Sequence, residues 1–250
     1  MQACLHFSSL CKDVNLLNIN DYKNDCKRLS ELTEGKIADI RLLEGEPLLH
    51  PDVNEFIAIT RKYFPNIDKV KGTGIIELVS NGILLSKQND KFWINCRDNN
   101  IRIVILEYPI KIEREIIKEK VNVFNLDLII YSEGIKPKST GSANRWAKIP
   151  IGVKGLQDHK KSFGKYFLAG NCFQLIKRKI FKCTRIAYIN YFNVTFNQCF
   201  EIGKDDYVDI YKIKNINEIL HLLLTPARFC RYCKTDDIYG KANGKYPRGI

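Results

Sequence analysis

Apolar positions in the first half of the chain recur in one order: an amphipathic stretch at helical spacing, a short run of Ile, Val and Leu, then a polar turn. Residues 21–33 read as a helix with Asn20 as N-cap and Cys26, Leu29 and Leu32 along one face, and Ile37 to Leu43 follows as a strand. A second unit runs from Asp52 through the helical NEFIAITRKYF to Pro65, then to a strand from Ile75 to Ser80 that ends at Asn81-Gly82. The rhythm continues with a helix from Lys91 to Asn99, a strand from Ile101 to Glu107 closed by Pro109, a helix from Glu113 to Lys120 and a strand near 127–131. Four strands alternating with helices imply right-handed crossovers and a parallel α/β sheet, doubly wound or barrel-like.

After Gly134 the pattern stops. The stretch IKPKSTGSANRW reads as a connection, and 173–176 and 180–183 flank the basic turn Lys177-Arg178-Lys179 as a hairpin. Helical spacing returns around 187–196 and 216–224. The expected organisation is an α/β core over 1–133, a connecting segment over 134–165 and a small cysteine-rich α+β module over 166–250.

Charge sharpens that division. Residues 1–133 hold 18 Lys and Arg against 20 Asp and Glu, whereas 134–250 hold 22 against 8, a net of −2 followed by +14. The basic half is either a solvated lysine-rich surface or the face that meets an anionic partner. It carries no recognition helix and no aromatic-basic RNA motif, so nucleic acid is not the expected partner. No run of about 18 apolar residues is present and the start MQACLHFSSL lacks the features of a secretory signal, so the expectation is a cytoplasmic chain with no membrane partner. Nine cysteines, an odd number in a chain of 250 residues, then read as reduced thiols or metal ligands rather than a disulfide framework.

The segment RLLEGEPLLHPD, Arg41 to Asp52, falls at a strand end and joins three useful properties. Glycine lets the backbone approach a ligand, a carboxylate accepts hydrogen bonds from an ammonium, and proline stiffens the exit. It resembles the glycine-rich motif of radical S-adenosylmethionine (radical SAM) enzymes. Glu44 stands where that family has its first glycine, and Gly45, Glu46 and Pro47 match. The resemblance implies that this turn receives the amino group of S-adenosylmethionine, and that Ser80 and Asn81, at the next strand end, face the same cofactor. Glu107-Tyr108-Pro109 falls where the family often contacts the ribose. The run Cys4-Leu5-His6-Phe7-Ser8 resembles the final cysteine of the C-x3-C-x2-C motif that holds a [4Fe-4S] cluster. The second cysteine would fall at position 1, which is Met, and the first before it, so the chain reads as a partial radical SAM barrel lacking its first strand.

Cys172 and Cys183, spaced C-x10-C across the expected hairpin, and Cys230 and Cys233, spaced C-x2-C, form a second constellation. Four thiolates in two pairs suit tetrahedral zinc or an iron-sulfur cubane, and spacing does not choose between them. The resemblance, which extends from about Asp21 to Cys233, implies an auxiliary [4Fe-4S] cluster of the SPASM/twitch-like type. Lys177 to Lys179 and Arg231 lie near enough in sequence to offset its charge. Cys11 has no family spacing, and Cys26, Cys96 and Cys199 fall in apparent helices as core residues.

The resemblance further implies reductive cleavage of S-adenosylmethionine to a 5′-deoxyadenosyl radical, hydrogen abstraction from an unidentified substrate, and a flavodoxin or ferredoxin as reductant, and the basic half accommodates an anionic substrate. With two of the three radical-cluster cysteines absent from the sequence, the rival expectation is a non-catalytic iron-sulfur or zinc protein with a basic partner-binding surface. No side chain stands out as the catalytic group.

Overall fold

The computed structural model describes residues 17–43, 45–67, 74–108, 110–131, 150–166 and 173–235. They divide into two compact units, one over 17–131 with 214–216 and the other over 150–213 with 217–235.

The first unit follows the expected alternation. Helix α1, Ile19–Thr33, is capped by Asn18, whose side chain accepts from the Asn20 and Asp21 amides, so the cap lies two residues earlier than the sequence suggested. Its buried positions include Cys26, Leu29 and Leu32, and it ends where Glu34 turns left-handed. Strand β1 (Asp39–Leu42), helix α2 (Val53–Tyr63), strand β2 (Ile75–Ser80), helix α3 (Asp90–Asp98), strand β3 (Ile101–Leu106), helix α4 (Arg114–Val123) and strand β4 (Leu128–Tyr131) follow. All neighbouring strands pair in parallel in the order β1-β2-β3-β4, because each crossover is long enough to carry the chain back along a helix.

Side chains alternate across this sheet. On one face Ile76, Leu78, Ile101, Ile103 and Ile105 are fully buried, as are Ile57, Phe92, Trp93 and Ile117 of the crossover helices. The other face carries charge. The register sets Arg41 beside Glu77 and Glu77 beside Arg102. The buried Glu77 carboxylate lies 2.8 Å from Arg41 and 3.5 Å from Arg102, and the two partly exposed guanidiniums spare it the cost of an unpaired buried charge.

Gly74, which leads into β2, allows the tight approach to β1: a Cβ there would lie 1.9 Å from the Ile67 carbonyl oxygen and 2.6 Å from that of Ala38. Both obstacles are backbone, so the chain itself must move to admit a methyl group. Gly74→Ala should lower stability by about 2–3 kcal/mol, read as a fall in urea midpoint with the m-value unchanged.

In the second unit, helix α5 (His159–Lys165) precedes the antiparallel strands β5 (Gln174–Ile176), β6 (Lys179–Phe181) and β7 (Tyr207–Asp209), ordered β5-β6-β7. Lys177 and Arg178 both adopt positive φ, which gives the β5-β6 hairpin a two-residue turn whose twist matches its strands. Helix α6 (Thr184–Phe196) lies between β6 and β7, and helix α7 (Ile216–Leu224) follows β7. Phe181, Ile186, Ile189, Phe200, Phe229 and Tyr232 form its apolar cluster. The sequence placed Cys183 in a strand, but β6 stops at Phe181 and Cys183 is the N-cap of α6. Cys199, expected in a helical core, is exposed and lies beyond the end of α6. No helix among the described residues is long and apolar enough to cross a membrane.

Candidate functional site

The parallel register brings the ends of β1 and β2 side by side, and the turn after β1 folds against the end of β2. Gly45 adopts φ +60°, a conformation that costs a side-chain-bearing residue roughly 1–2 kcal/mol. A Cβ at this position would meet no atom within 4 Å, so the glycine serves backbone conformation and leaves open space beside its Cα. Glu46 then returns to extended geometry and caps the short 3-10 turn Pro47–Leu49, its Oε1 accepting from the Leu48 amide at 3.2 Å. Pro47 suits the start of that turn because its ring fixes φ and the missing N–H would have no partner there.

The same carboxylate ties the two strand ends together. Ser80 Oγ donates to Glu46 Oε1 at 2.8 Å, and the Asn81 amide donates to Oε2 at 2.8 Å. Ser80 Oγ accepts in turn from the Gly82 amide at 3.0 Å, and Asn81 Oδ1 accepts from the Ile83 amide at 2.9 Å. Gly82 has φ +84°, as an Asn-Gly turn requires. Gly45, Glu46, Pro47, Ser80 and Asn81 therefore form one constellation, while Glu44 lies outside the described residues. A carboxylate offers about four acceptor positions, and the described residues use three, two on Oε1 and one on Oε2. At the end of β3, Glu107 pairs with Arg114 of α4. Tyr108 is described and Pro109 is not.

The second unit assembles Cys183, Cys230 and Cys233. Cys230 lies within the 3-10 turn Arg228–Tyr232 and Cys233 caps its end, the Cys233 amide donating to the Cys230 carbonyl at 3.0 Å. The backbone around Cys233 is fixed from both sides: Ile151 pairs with it as an antiparallel bridge, and Ser162 Oγ donates to its carbonyl at 3.0 Å. Asp206, fully buried, accepts from the Phe229 amide at 3.3 Å and the Gly203 amide at 2.8 Å, which anchors the turn to the segment before β7. Burial holds the Asp206 carboxyl above its ordinary value.

The three thiols feel one another. Burial pushes Cys183 up to about 12, with a further push from Cys233. Cys230 is raised by burial and then by Cys233 and Cys183, and Cys233 is raised by burial against a lowering pull from Arg185. Cys26 and Cys96 are also pushed up to about 12 by burial, but neither has a cysteine neighbour among its causes. Among the described residues, no group of three or more His, Cys, Asp or Glu could hold a metal ion. Cys172 and Cys4 lie outside the described residues.

Two cations missed by the sequence reading stand beside these thiols. Arg185, on the first turn of α6, is buried and places Nη1 3.9 Å from Cys233 Sγ. Lys182, which precedes Cys183 in the chain, is buried too, its Nζ donating to the Thr225 carbonyl at 2.7 Å and hydroxyl at 3.0 Å. Their positions immediately around Cys183 were visible, but a charged residue beside a cysteine is normally solvated, and only the fold buries both. The cations expected to serve the thiols are occupied elsewhere: Arg231 bonds Glu201 and the Tyr232 hydroxyl, and Lys179 lies over the Tyr207 ring.

The parallel α/β sheet followed by a smaller α+β unit is similar in fold to a solved radical SAM enzyme. The solved structure that carries this comparison is a crystal structure of BtrN in complex with AdoMet and 2-DOIA, which aligns with a TM-score of 0.50 and 15% identity over 92% of this chain and 87% of that one. At that identity the likeness speaks for the fold. No family model matches the sequence, and no curated protein matches it.

Proposed function

We propose that this chain is a radical SAM-type iron-sulfur protein, with S-adenosylmethionine bound at the Gly45-Glu46-Pro47 turn and a [4Fe-4S] cluster held by Cys172, Cys183, Cys230 and Cys233. The observation that carries the reading is the Glu46 carboxylate, which joins the ends of two parallel strands and, among the described residues, accepts only one hydrogen bond on Oε2. An ammonium is a fitting donor for it, and the open space at the Gly45 Cα admits a ligand to the backbone. That BtrN was solved with AdoMet in a similar fold supports the same choice of ligand.

In this reading Glu46 and the backbone of Gly45 bind and orient the amino end of S-adenosylmethionine, while Ser80 and the Asn81 amide hold the carboxylate in place for it. The radical chemistry would need a second [4Fe-4S] cluster, distinct from the four-cysteine one and with Cys4 as one of its ligands, whose open iron would take S-adenosylmethionine and whose reduction would supply methionine and a 5′-deoxyadenosyl radical. In the second unit, the buried Cys230 and Cys233 and the half-buried Cys183, beside two buried cations, have the donor chemistry of a thiolate-bound, negatively charged group. A flavodoxin or ferredoxin is the proposed reductant, and the substrate class stays open.

The second reading is a non-catalytic zinc or iron-sulfur protein with a basic partner surface. It is favoured by the placement of Cys183, Cys230 and Cys233 within the second unit, whose hairpin tip exposes Lys177 and Arg178. Metal analysis after anaerobic reconstitution separates the iron-sulfur from the zinc form, and 5′-deoxyadenosine formation separates the catalytic from the non-catalytic one. About four irons and four sulfides per chain at the cysteine module are expected, whereas tight retention of one zinc with no sulfide would select the zinc protein.

A further inference from the structure

Apolar side chains held out in water on a fixed backbone mark surfaces that other molecules cover. The residues leading into α5 present two of them: Val153 is 64% exposed and Leu156 79%. Their backbone is anchored at several points. The Gly155 amide donates to the Gly152 carbonyl at 3.0 Å and closes a tight turn, while the Gly152 amide donates to the Tyr232 carbonyl at 2.8 Å and the Gln157 amide to the Arg231 carbonyl at 3.0 Å. Gly155 has φ +59° and lies so close to the Tyr232 ring that a Cβ would come within 2.7 Å of it, so the loop sits directly on the 3-10 turn Arg228–Tyr232. Val153 and Lys154, at the two central positions of the tight turn, are both exposed.

Lysines flank this apolar pair. Lys154 stands between Val153 and Leu156 in the chain, Lys160 and Lys161 are exposed on the first turn of α5, and the Lys234 side chain runs beside Gly152, its Cε 3.2 Å from where a Cβ would be. Asp158 is the one carboxylate within 150–166 and 228–235, and its Oδ1 accepts from the Lys160 and Lys161 amides. Glu201, from outside these segments, pairs with Arg231. An apolar spot flanked by lysines fits a protein whose own face is acidic around an apolar spot. Nucleic acid fits it poorly: phosphates gain nothing from Val153 and Leu156, and the Tyr232 ring beneath the loop is buried and closed to base stacking. A spot this small suits the limited contact area of a transient electron-carrier encounter rather than a permanent assembly. We infer that the loop over 152–157 and the first turn of α5 form the docking surface for the acidic carrier protein that reduces this chain, a flavodoxin. The partner's identity rests on the radical SAM reading proposed above, whereas the surface stands on exposure and charge and needs no metal at the cysteines.

The test is isothermal titration calorimetry of the full chain with a purified flavodoxin of net negative charge. Wild type should bind, and its affinity should fall about tenfold between about 50 and about 300 mM salt, because screening weakens attraction between oppositely charged faces. Leu156→Glu, and Lys160→Glu combined with Lys161→Glu, should each bind at least about tenfold more weakly. All three side chains are exposed, so the fold should survive these changes. Lys177→Glu reverses one charge on the hairpin tip instead and should alter affinity by less than about twofold. Wild-type affinity in the Leu156 and Lys160/Lys161 variants, or an equal loss in Lys177→Glu, would overturn the surface. Binding of a short DNA duplex without binding of flavodoxin would overturn it in favour of nucleic acid. A chain that forms 5′-deoxyadenosine with dithionite as reductant but binds no flavodoxin would overturn the docking surface and leave the radical reading standing. The expected binding pattern without 5′-deoxyadenosine would sink the radical reading and leave the surface.

Discussion

Replacing Glu46 with alanine should both weaken the α/β unit and abolish S-adenosylmethionine binding. Three donors lose their acceptor together: the Ser80 hydroxyl and the amides of Asn81 and Leu48. Ser80 is buried and the Asn81 amide half-buried, so water recovers only part of the loss, and the expected cost is about 2–4 kcal/mol. Glu46→Gln separates stability from binding. Its carbonyl still serves one side of the bridge, but its NH2 group meets an N–H donor on the other, so about 1–2 kcal/mol is lost. The negative charge that faces an ammonium is gone as well. Both variants should bind S-adenosylmethionine at least tenfold more weakly by equilibrium dialysis, with Gln keeping much of the wild-type thermal midpoint. Wild-type affinity in Glu46→Gln would place the amino group elsewhere.

The second large effect concerns which buried cysteines matter. Cys26, Cys96, Cys183, Cys230 and Cys233 are all sheltered thiols with ionisation pushed up by burial, so burial alone does not separate ligands from core residues. Neighbours do. Cys26 is hydrogen-bonded with Tyr22 and Cys96 is fully buried on α3, whereas Cys183, Cys230 and Cys233 act on one another beside Arg185 and Lys182. Cys230→Ala and Cys233→Ala should each cut iron in the reconstituted chain from about four to fewer than one per chain. Cys96→Ala should leave iron unchanged and cost about 1 kcal/mol of packing. Iron retained in both Cys230→Ala and Cys233→Ala would exclude the module as the cluster site.

Much of the α/β unit could be read from the sequence because its signals are local and repeated. The Ile75–Ser80 strand has the expected limits, and α2, α3 and α4 differ from expectation by a few residues at their ends, where caps decide the boundary. Strand β7 escaped notice because Tyr207-Val208-Asp209 is too short to show alternation. Its place comes from pairing with β6, with Phe181 opposite Tyr207. Cys183 was misplaced for a related reason: the apolar Ile180-Phe181 pair looks continuous with the residues after it, but the chain leaves the sheet to start α6.

The candidate site was legible as residue types, and less so as contacts. Glu46 and Ser80 each stood out at a strand end, yet their 2.8 Å bond depends on the parallel register that sets β1 beside β2. Arg185 and Asp206 gave no signal in one dimension. A buried guanidinium and a buried carboxylate have the same one-letter identity as solvated ones, and their places follow from the 48-residue separation that brings Arg185 to Cys233 and the 23-residue separation that brings Asp206 to Phe229.

The most direct measurement is product analysis of the anaerobically reconstituted full chain, reduced and supplied with S-adenosylmethionine. Formation of 5′-deoxyadenosine and methionine in equal amounts, abolished by Glu46→Ala, is the expected result. A chain that carries and reduces its cluster, binds S-adenosylmethionine and still yields no 5′-deoxyadenosine would contradict the radical SAM reading.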